Sequence, residues 1–259
     1  MISSLVQLPI LKRLIPSFLI RFLKYIGKNR GFFRVRDIYM FLDFLDPIDR
    51  QIILNQNYEV EEFKIFDDLI KKNLSDYFID IGANCGYYSF FILKNNPKIE
   101  VLAYEPNDEA YFKFLQTLKK NKTLEKNIKL FNYGLSNTNS KKTLYTKVKF
   151  GYIQTGGSSV ESEHNANAVA TQIAIFKITD EILDLKNKNI AIKIDVENHE
   201  LKTLRGMSNL LSKNNIVLQI EIFENNFSEV NDFLENLDFK LISSFKEKSI
   251  FYYTNNKLA

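Results

Sequence analysis

The stretch FIDIGANCGYYSF, residues 78–90, places an apolar run, an acid and a glycine turn directly before a second apolar segment. This order is typical of a β-strand that leads through a tight turn into an α-helix of a parallel sheet. Asp80 lies at the end of the strand, and Gly82 and Gly86 allow the backbone of the turn to approach a ligand. Because open parallel sheets bind ligands beyond the carboxyl ends of their strands, we expect a binding site here.

From residue 76 onward, short apolar segments alternate with segments of helical spacing. The predicted strands are residues 77–81, 101–105, 128–134, 191–197 and 216–222. Apolar strands separated by helices predict a mainly parallel sheet that is covered on both faces. Two further strands, FKLISSF and KSIFYYT, follow near the end of the chain, and their connection is too short for a parallel crossover. We therefore expect these two strands to be antiparallel.

Two domains are predicted, an N-terminal extension or cap in residues 1–75 and a main domain in residues 76–259. Residues 33–55 have apolar positions at helical spacing, so the extension should be mostly helical and could form a homodimer surface. The tract 151–172 is rich in Gly, Ser and Asn and is predicted to be a long irregular loop that serves a site.

The composition favours one cytoplasmic enzyme core without a nucleic-acid partner. The chain has 259 residues, one cysteine and a formal net charge of +4. A single cysteine excludes an intramolecular disulfide framework, which indicates a reducing compartment. Charged residues interrupt the apolar residues 1–30, so no membrane span is expected there. That tract is expected to pack on the domain or on a second subunit, and a helix resting on a membrane surface is the alternative.

The glycine turn does not fit a dinucleotide. A GxGxxG fingerprint would need glycine at Asn84, and the last glycine comes one residue early. The carboxylate of Asp80 would repel a pyrophosphate, whereas the ammonium and sulfonium of S-adenosylmethionine would be attracted to it. Glu105 ends the second strand, where an acid can accept hydrogen bonds from both ribose hydroxyls. The alternative is that Asp80 and Glu105 are turn or capping acids.

A second polar group lies on the strand AIKIDVENHE, residues 191–200. Side chains alternate along a strand, so Lys193, Asp195 and Glu197 should share one face, and His199 continues that series in an extended chain. Polar residues at the end of a buried strand indicate a functional site. A buried ion pair of Lys193 with Asp195, with His199 capping the next helix, is the alternative. Glu221 on the neighbouring strand adds a further acid.

The motifs together resemble the FkbM family of methyltransferases. DIGANCGYYS, YEPN, NYGLSN, GGSS, KIDVENHELKTLRG and IEI follow in the family's order across residues 76–224. Asn198 stands where the family usually has glycine, and asparagine also tolerates left-handed backbone. The resemblance implies an α/β class I methyltransferase (Rossmann-like) fold, with a seven-stranded, mainly parallel sheet and an antiparallel last strand. It also implies S-adenosylmethionine as the methyl donor and a hydroxyl oxygen as the acceptor.

The resemblance also assigns roles to individual residues. The cofactor residues would be Asp80, Gly82, Asn84, Gly86, Glu105, Pro106, Asn132 and Ser136. Asp195, Glu197 and His199 would face the acceptor. Beyond the resemblance, Lys193 is expected to hold a carboxylate in place or, with a lowered pKa, to act as the base. Ser158, Ser159, His164 and Glu221 are further candidates on the acceptor side, and a solvated His164 is the alternative. His199 is the first candidate base because histidine titrates near neutral pH, and Asp195 is the second. Mg²⁺ held by Asp195 and Glu197 is an alternative use of the same acids.

The favoured function is O-methylation of a sugar or nucleotide-activated sugar for a bacterial surface polysaccharide such as a capsule. Methylation of a polyketide or another metabolite, and a non-catalytic binding protein on the same fold, are the alternatives. The failed dinucleotide fingerprint opposes a nicotinamide enzyme. The chain has KIDVENHE after the fourth strand, where a nucleic-acid methyltransferase commonly has a Pro-Pro-aromatic motif.

Overall fold

The computed structural model describes residues 25, 27–149, 152–160 and 168–256. Within these residues the strands are β1 Arg30–Val35, β2 Ile38–Asp43, β3 Tyr77–Ile81, β4 Glu100–Tyr104, β5 Ile128–Phe131, β6 Gly134–Ser136, β7 Ser140–Lys149, β8 Tyr152–Ser159, β9 Ala168–Ile178, β10 Asn189–Ile194, β11 Asn215–Glu221, β12 Lys240–Phe245 and β13 Ile250–Thr254. The helices are α1 Pro47–Asn55, α2 Val60–Lys72, α3 Tyr87–Asn95, α4 Asp108–Lys120, α5 Lys122–Glu125, α6 Thr179–Ile182, α7 Glu200–Arg205, α8 Ser208–Ser212 and α9 Phe227–Glu235. Two short 3₁₀ segments cover Glu224–Asn226 and Lys246–Lys248.

A seven-stranded sheet in the order β12-β13-β11-β10-β3-β4-β5 forms the centre of the described molecule. β10 and β4 pair with β3 in parallel, and β13 runs antiparallel to both β11 and β12. The antiparallel pairing predicted for the last two strands is therefore confirmed. From β3 the chain first builds one half of the sheet and then crosses to β10, so the strand order reverses beside β3. A reversal of this kind opens a crevice at the carboxyl ends of the strands.

Both faces of this sheet are covered, as the sequence predicted. Phe78 and Ile79 are neighbours on β3, are both fully buried, and belong to two different hydrophobic clusters. The first cluster includes side chains of α2 and α3, and the second includes side chains of α7, α8 and α9. Alternate residues of a strand point to opposite faces, so each buried strand supplies both layers.

In its described residues, the N-terminal extension is not mostly helical. β1 and β2 form an antiparallel hairpin, and Arg36 in its turn has a φ of 54°. Ile38, Met40 and Leu42 are buried at every second position, so the apolar residues here follow the two-residue period of a strand. Helical spacing is correct for α1 and α2. The hairpin and α2 pack into the same cluster as Phe78, and the prediction for residues 1–24 lies outside the described residues.

The tract predicted to be an irregular loop contains strands. β8 and the start of β9 lie within it, in a second sheet of order β6-β9-β7-β8. The prediction was wrong there because the partners that stabilise these strands lie elsewhere: β9 pairs with β7 over eight residue pairs. β8 lies at the edge of this sheet, and its polar residues give only a weak sequence signal for a strand. His164 lies outside the described residues.

Candidate functional site

The glycine turn after β3 passes close to the end of β10. Gly82 has a φ of 80°, and a Cβ atom there would lie 1.9 Å from the backbone oxygen of Asp195. Gly86 has a φ of 85° at the start of α3, and a Cβ atom there would lie 2.8 Å from the ring of Phe90. Both positions therefore require glycine, and the turn is held at the point where the strand order reverses.

A cavity of about 260 Å³ opens beside this turn. Its wall includes these residues predicted from the sequence: Asp80, Gly82, Asn84, Glu105, Pro106, Ser158, Lys193, Asp195, Glu197, His199 and Glu221. Four other predicted residues, Gly86, Asn132, Ser136 and Ser159, lie behind the wall. The structure thus brings the acids after β3, β4, β10 and β11 to one cavity.

Asp80 is buried in the wall, with 1% of its surface exposed. Its Oδ2 accepts a hydrogen bond of 2.6 Å from the hydroxyl of Ser89, whereas its Oδ1 has no hydrogen-bond partner. Burial raises the pKa of Asp80, although the charge of Lys193 opposes this shift. A buried carboxylate oxygen without a donor costs free energy, so a ligand that donates to Oδ1 would recover that cost.

Glu105 is held by two backbone amides. It accepts from the amide of Asn84 at 2.7 Å and from the amide of Asn107 at 2.8 Å. Burial raises its pKa to about 7 against these two hydrogen bonds. The carboxyl group therefore joins the glycine turn to the start of α4. The next residue, Pro106, accepts a hydrogen bond from Gln172 through its carbonyl oxygen.

Lys193 and Asp195 form an ion pair in the wall of the cavity, with 2.9 Å between Nζ and Oδ2. The Lys193 ammonium also lies 4.9 Å from the centre of the Tyr88 ring. Burial favours the neutral form of Lys193, but the charges of Asp195 and other nearby acids outweigh this effect and raise the pKa of Lys193. The ion pair that the sequence offered as an alternative to a site is thus present, and it faces the cavity.

Two further carboxyl groups surround this ion pair. Burial favours the neutral form of Asp195, but Lys193 and a hydrogen bond from Glu221 lower its pKa. Burial and, after it, the charge of Asp195 raise the pKa of Glu221. Glu59 accepts a hydrogen bond of 2.8 Å from the hydroxyl of Tyr88, and burial raises its pKa.

The chain leaves the extended conformation before His199. β10 ends at Ile194, and Glu197 and Asn198 have φ angles of 51° and 74°. The predicted strand was three residues too long because two left-handed residues redirect the backbone. The carboxyl of Glu197 is partly exposed to the cavity, and burial, aided by the charge of Asp195, raises its pKa to about 7.

His199 lies deeper than Glu197, with 2% of its surface exposed. Its Nε2 is 3.0 Å from the hydroxyl of Ser136, and its ring centre is 5.5 Å from that of Phe176. It occupies the N-cap position of α7 without a capping hydrogen bond from its side chain. The ring therefore joins α7 to β6 and β9 while it lines the cavity.

The remaining predicted residues hold backbone around the cavity. Ser158 accepts from the side chain of Asn107 at 2.9 Å, and Ser159 donates to the carbonyl oxygen of Glu197 at 3.1 Å. Asn132 donates to the carbonyl oxygen of Glu105 at 3.1 Å. These contacts fix the strand ends that carry the acids.

Sequence reasoning missed the part of the wall that comes from the N-terminal region. Tyr58 and Glu59, between α1 and α2, line the cavity, and so do Thr155 and Gly156 of β8. Gly156 packs against α1, where a Cβ atom would lie 1.9 Å from the side chain of Ile48. Gly156 begins the GGSS motif but was given no role, and no motif marks Tyr58, Glu59 or Thr155.

A buried charge cluster supports the wall from behind. The Lys113 ammonium is 2.7 Å from Asp49 and 3.5 Å from Asp46, and it donates to the hydroxyl of Thr155 at 3.0 Å. Asp46 also accepts from the amide of Thr155, and the hydroxyl of Thr155 is 3.0 Å from Oδ1 of Asn84. The cluster therefore connects α1, α4 and β8 to the glycine turn.

Within the described residues, no group of three or more His, Cys, Asp and Glu side chains is arranged to hold a metal ion. In the same part of the chain, no helix combines the length and the apolar character needed to cross a membrane.

The mixed seven-stranded sheet, the glycine turn after β3 and the cavity at the reversal of strand order define a class I methyltransferase with a Rossmann-like architecture. The chain belongs to the family of the methyltransferase FkbM domain, whose family model matches residues 80–241. The family predicted from the sequence motifs is therefore confirmed.

Two known proteins illustrate the similarity. Methyltransferase 1 of Beauveria bassiana (strain ARSEF 2860) is 21% identical over an alignment of 216 residues, and the match covers 74% of this chain and 80% of that protein. The crystal structure of methyltransferase FkbM from Methylobacillus flagellatus KT is similar with a TM-score of 0.51 and 15% identity. That match covers 70% of this chain and 43% of the solved chain, so this chain spans less than half of that protein, and the likeness concerns the fold alone.

Proposed function

We propose that the protein transfers a methyl group from S-adenosylmethionine to a hydroxyl of a sugar or nucleotide-activated sugar. The observation that carries this proposal is the buried Oδ1 of Asp80, which has no hydrogen-bond partner and lies in the cavity wall beside the glycine turn. A carboxylate in this position suits a ligand that brings an ammonium group and a positive sulfur, and it repels phosphate.

The residues present fit S-adenosylmethionine. Asp80 would accept from its ammonium group, and Glu105 would accept from the ribose hydroxyls. Gly82 lets the turn pack directly against the backbone of Asp195, which keeps the turn in the cavity wall where the ligand would lie. When bound, S-adenosylmethionine supplies a methyl group on a sulfonium, which is a good leaving group. The protein then has to orient the acceptor oxygen and remove its proton.

Glu197 is the base that the geometry favours. Its carboxyl is partly exposed to the cavity, and its pKa of about 7 matches the range in which a general base is most effective. His199, the first candidate from the sequence, also lines the cavity, but its Nε2 is engaged with Ser136. Lys193 holds Asp195 in place, so this ion pair would orient the acceptor.

A sugar as the methyl acceptor is supported by the number of carboxyl groups in the cavity wall. Carboxylates beside the predicted transfer position can each accept hydrogen bonds from sugar hydroxyls. On the basis of the motif resemblance, we extend this proposal to a role in the synthesis of a bacterial surface polysaccharide. A polyketide hydroxyl is the second candidate. Its apolar body would require a more apolar wall than these carboxyl groups provide.

Asp80→Asn should weaken the binding of S-adenosylmethionine by about 10- to 100-fold, which corresponds to the loss of one charge-assisted hydrogen bond of about 1.5–3 kcal/mol. The free energy of unfolding at pH 7 should not fall. Burial raises the pKa of Asp80, so its ionised form disfavours the folded state and the amide removes that cost. Calorimetric titration and urea denaturation measure the two quantities.

The control for this variant is Asp68→Asn, which removes an exposed acid of α2 away from the cavity. Its cofactor affinity should equal that of the wild type. If Asp80→Asn bound S-adenosylmethionine as tightly as this control, Asp80 would have no part in the cofactor site.

The proposed activity is tested by the release of S-adenosylhomocysteine in a panel of nucleotide-activated sugars, with mass detection of products heavier by one methylene. The panel is run with and without Mg²⁺. A methylated product supports the donor, the reaction and the acceptor class together. A protein that binds neither S-adenosylmethionine nor S-adenosylhomocysteine would contradict the proposal.

A further inference from the structure

The cavity wall contains more carboxyl groups than the proposed donor uses. In its described wall, six carboxyl groups belong to Glu59, Asp80, Glu105, Asp195, Glu197 and Glu221. Lys193 is the one lysine or arginine in that wall, and it is already paired with Asp195. Asp80 and Glu105 are used by the proposed donor and Glu197 is the proposed base, so Glu59 and Glu221 remain to bind the acceptor.

Glu59 and Glu221 lie in the same part of the cavity wall, because both also border a second space. This second, smaller cavity of about 10 Å³ is also lined by Lys193, Asp195 and Gln219. The pKa of Glu221 is raised by burial and Asp195, and the charge of Glu197 adds to this shift, so the two acids are close enough to repel each other. A neutral acceptor could form hydrogen bonds here, but it would leave this repulsion unchanged.

The side chain of Gln219 independently indicates that a hydrogen-bond donor is missing at this end of the cavity. It is 2% exposed and donates through Nε2 to the hydroxyl of Tyr88 at 3.2 Å. Its Oε1 is buried without a hydrogen-bond partner, and the residue lines the smaller cavity beside Glu59 and Glu221. A buried carbonyl oxygen of this kind requires a donor from outside the protein.

We propose that the methyl acceptor carries a primary amine, which binds as an ammonium ion at the acidic end formed by Glu59 and Glu221, beside Gln219. This inference rests on the proposed function, because it assigns the acceptor class of the same cavity. An ammonium group has three donors and no acceptor, so it suits carboxylates and an amide oxygen together. Tyr58, which lines the same end, adds an aromatic ring of the kind that favours cations. The acceptor would thus be an amino sugar or a similar amino alcohol, methylated on oxygen.

Binding to the protein saturated with S-adenosylhomocysteine tests this inference. D-glucosamine, N-acetyl-D-glucosamine and D-glucose are titrated at pH 7 and equal ionic strength, followed by ligand-observed NMR. We expect glucosamine to bind at least about tenfold more tightly than both neutral sugars, because its bonds to carboxylates are charge-assisted. Ethanolamine against ethylene glycol repeats the comparison without a sugar ring. Equal affinities in both sets, or no binding of either amine, would overturn the inference.

Glu59→Gln provides the matched variant. It removes one charge of the acidic end and keeps an acceptor oxygen, so the preference for glucosamine over glucose should fall about tenfold while S-adenosylhomocysteine still binds. Glu229→Gln, which removes an exposed acid of α9, should leave the preference unchanged. If S-adenosylhomocysteine does not bind the wild type, the proposed function fails together with this inference. If it binds and the amine is not preferred, this inference alone fails.

Discussion

Glu197→Gln should lower the rate of methyl transfer by about 10²- to 10⁴-fold, the usual contribution of a general base. The rate of the wild type should rise with pH, reach half its maximum near pH 7 and level well above it, because the carboxyl must be ionised and burial raises its pKa to about 7. The variant should lack this rise. Single-turnover rates between pH 5.5 and 8.5 measure both effects, and calorimetry should find the affinity for S-adenosylmethionine unchanged.

His199→Ala is the informative comparison for this prediction. If Glu197 is the base, His199→Ala should lower the rate only because it removes the contact with Ser136, and the rate should still rise with pH near 7. The reverse result would assign the base to His199, as the sequence first predicted. In that case His199→Ala would lose the pH dependence while Glu197→Gln retained it.

Lys113→Met should lower the free energy of unfolding by about 3–5 kcal/mol, because it leaves the buried acids of Asp46 and Asp49 without their cation. Burial already raises the pKa of Asp49 to about 6 although Lys113 opposes the shift. In the variant this pKa should rise further. The folded state then binds the proton more tightly than the unfolded chain, so the loss of stability should shrink as the pH falls from 7 towards 5.

Urea denaturation at pH 7 and pH 5 measures this loss. Lys119→Met, at an exposed position of the same helix, is the control and should change the free energy of unfolding by less than about 0.5 kcal/mol. Cofactor affinity should fall in Lys113→Met as well, since Thr155 connects the cluster to Asn84. A stable variant at pH 7 would mean that the two acids are protonated there.

The central sheet was predictable because its signals are local. β3 has the predicted bounds and leads into a helix as predicted, since a short apolar run, two glycines and a helical apolar pattern lie within twenty residues of each other. Asp80 and Glu105 were found as candidate site residues for the same reason. Each is the acid at the end of a strand, and parallel strands bring such ends to one edge.

The hairpin and the second sheet were not predictable in the same way. The apolar residues of β2 fit both a helical and a two-residue period, and pairing with β1 selects the strand. β9 places Ile173 at 66% exposure and buries Ala174. Hydrophobicity alone would predict a buried Ile173 and an exposed Ala174. Only the pairing of β9 with β6 and β7 decides which residue is buried.

The sequence by itself determined the family, the alternation of strands and helices, and the acids and glycines of the turn after β3. Those features depend on residues that are close along the chain. Only the tertiary structure decided that Glu59 and Gln219 join Asp195 and Glu221 at one end of a cavity, and that His199 is engaged with Ser136. These groups are far apart in sequence, and their pKa values and roles follow from burial and from neighbours that folding alone supplies.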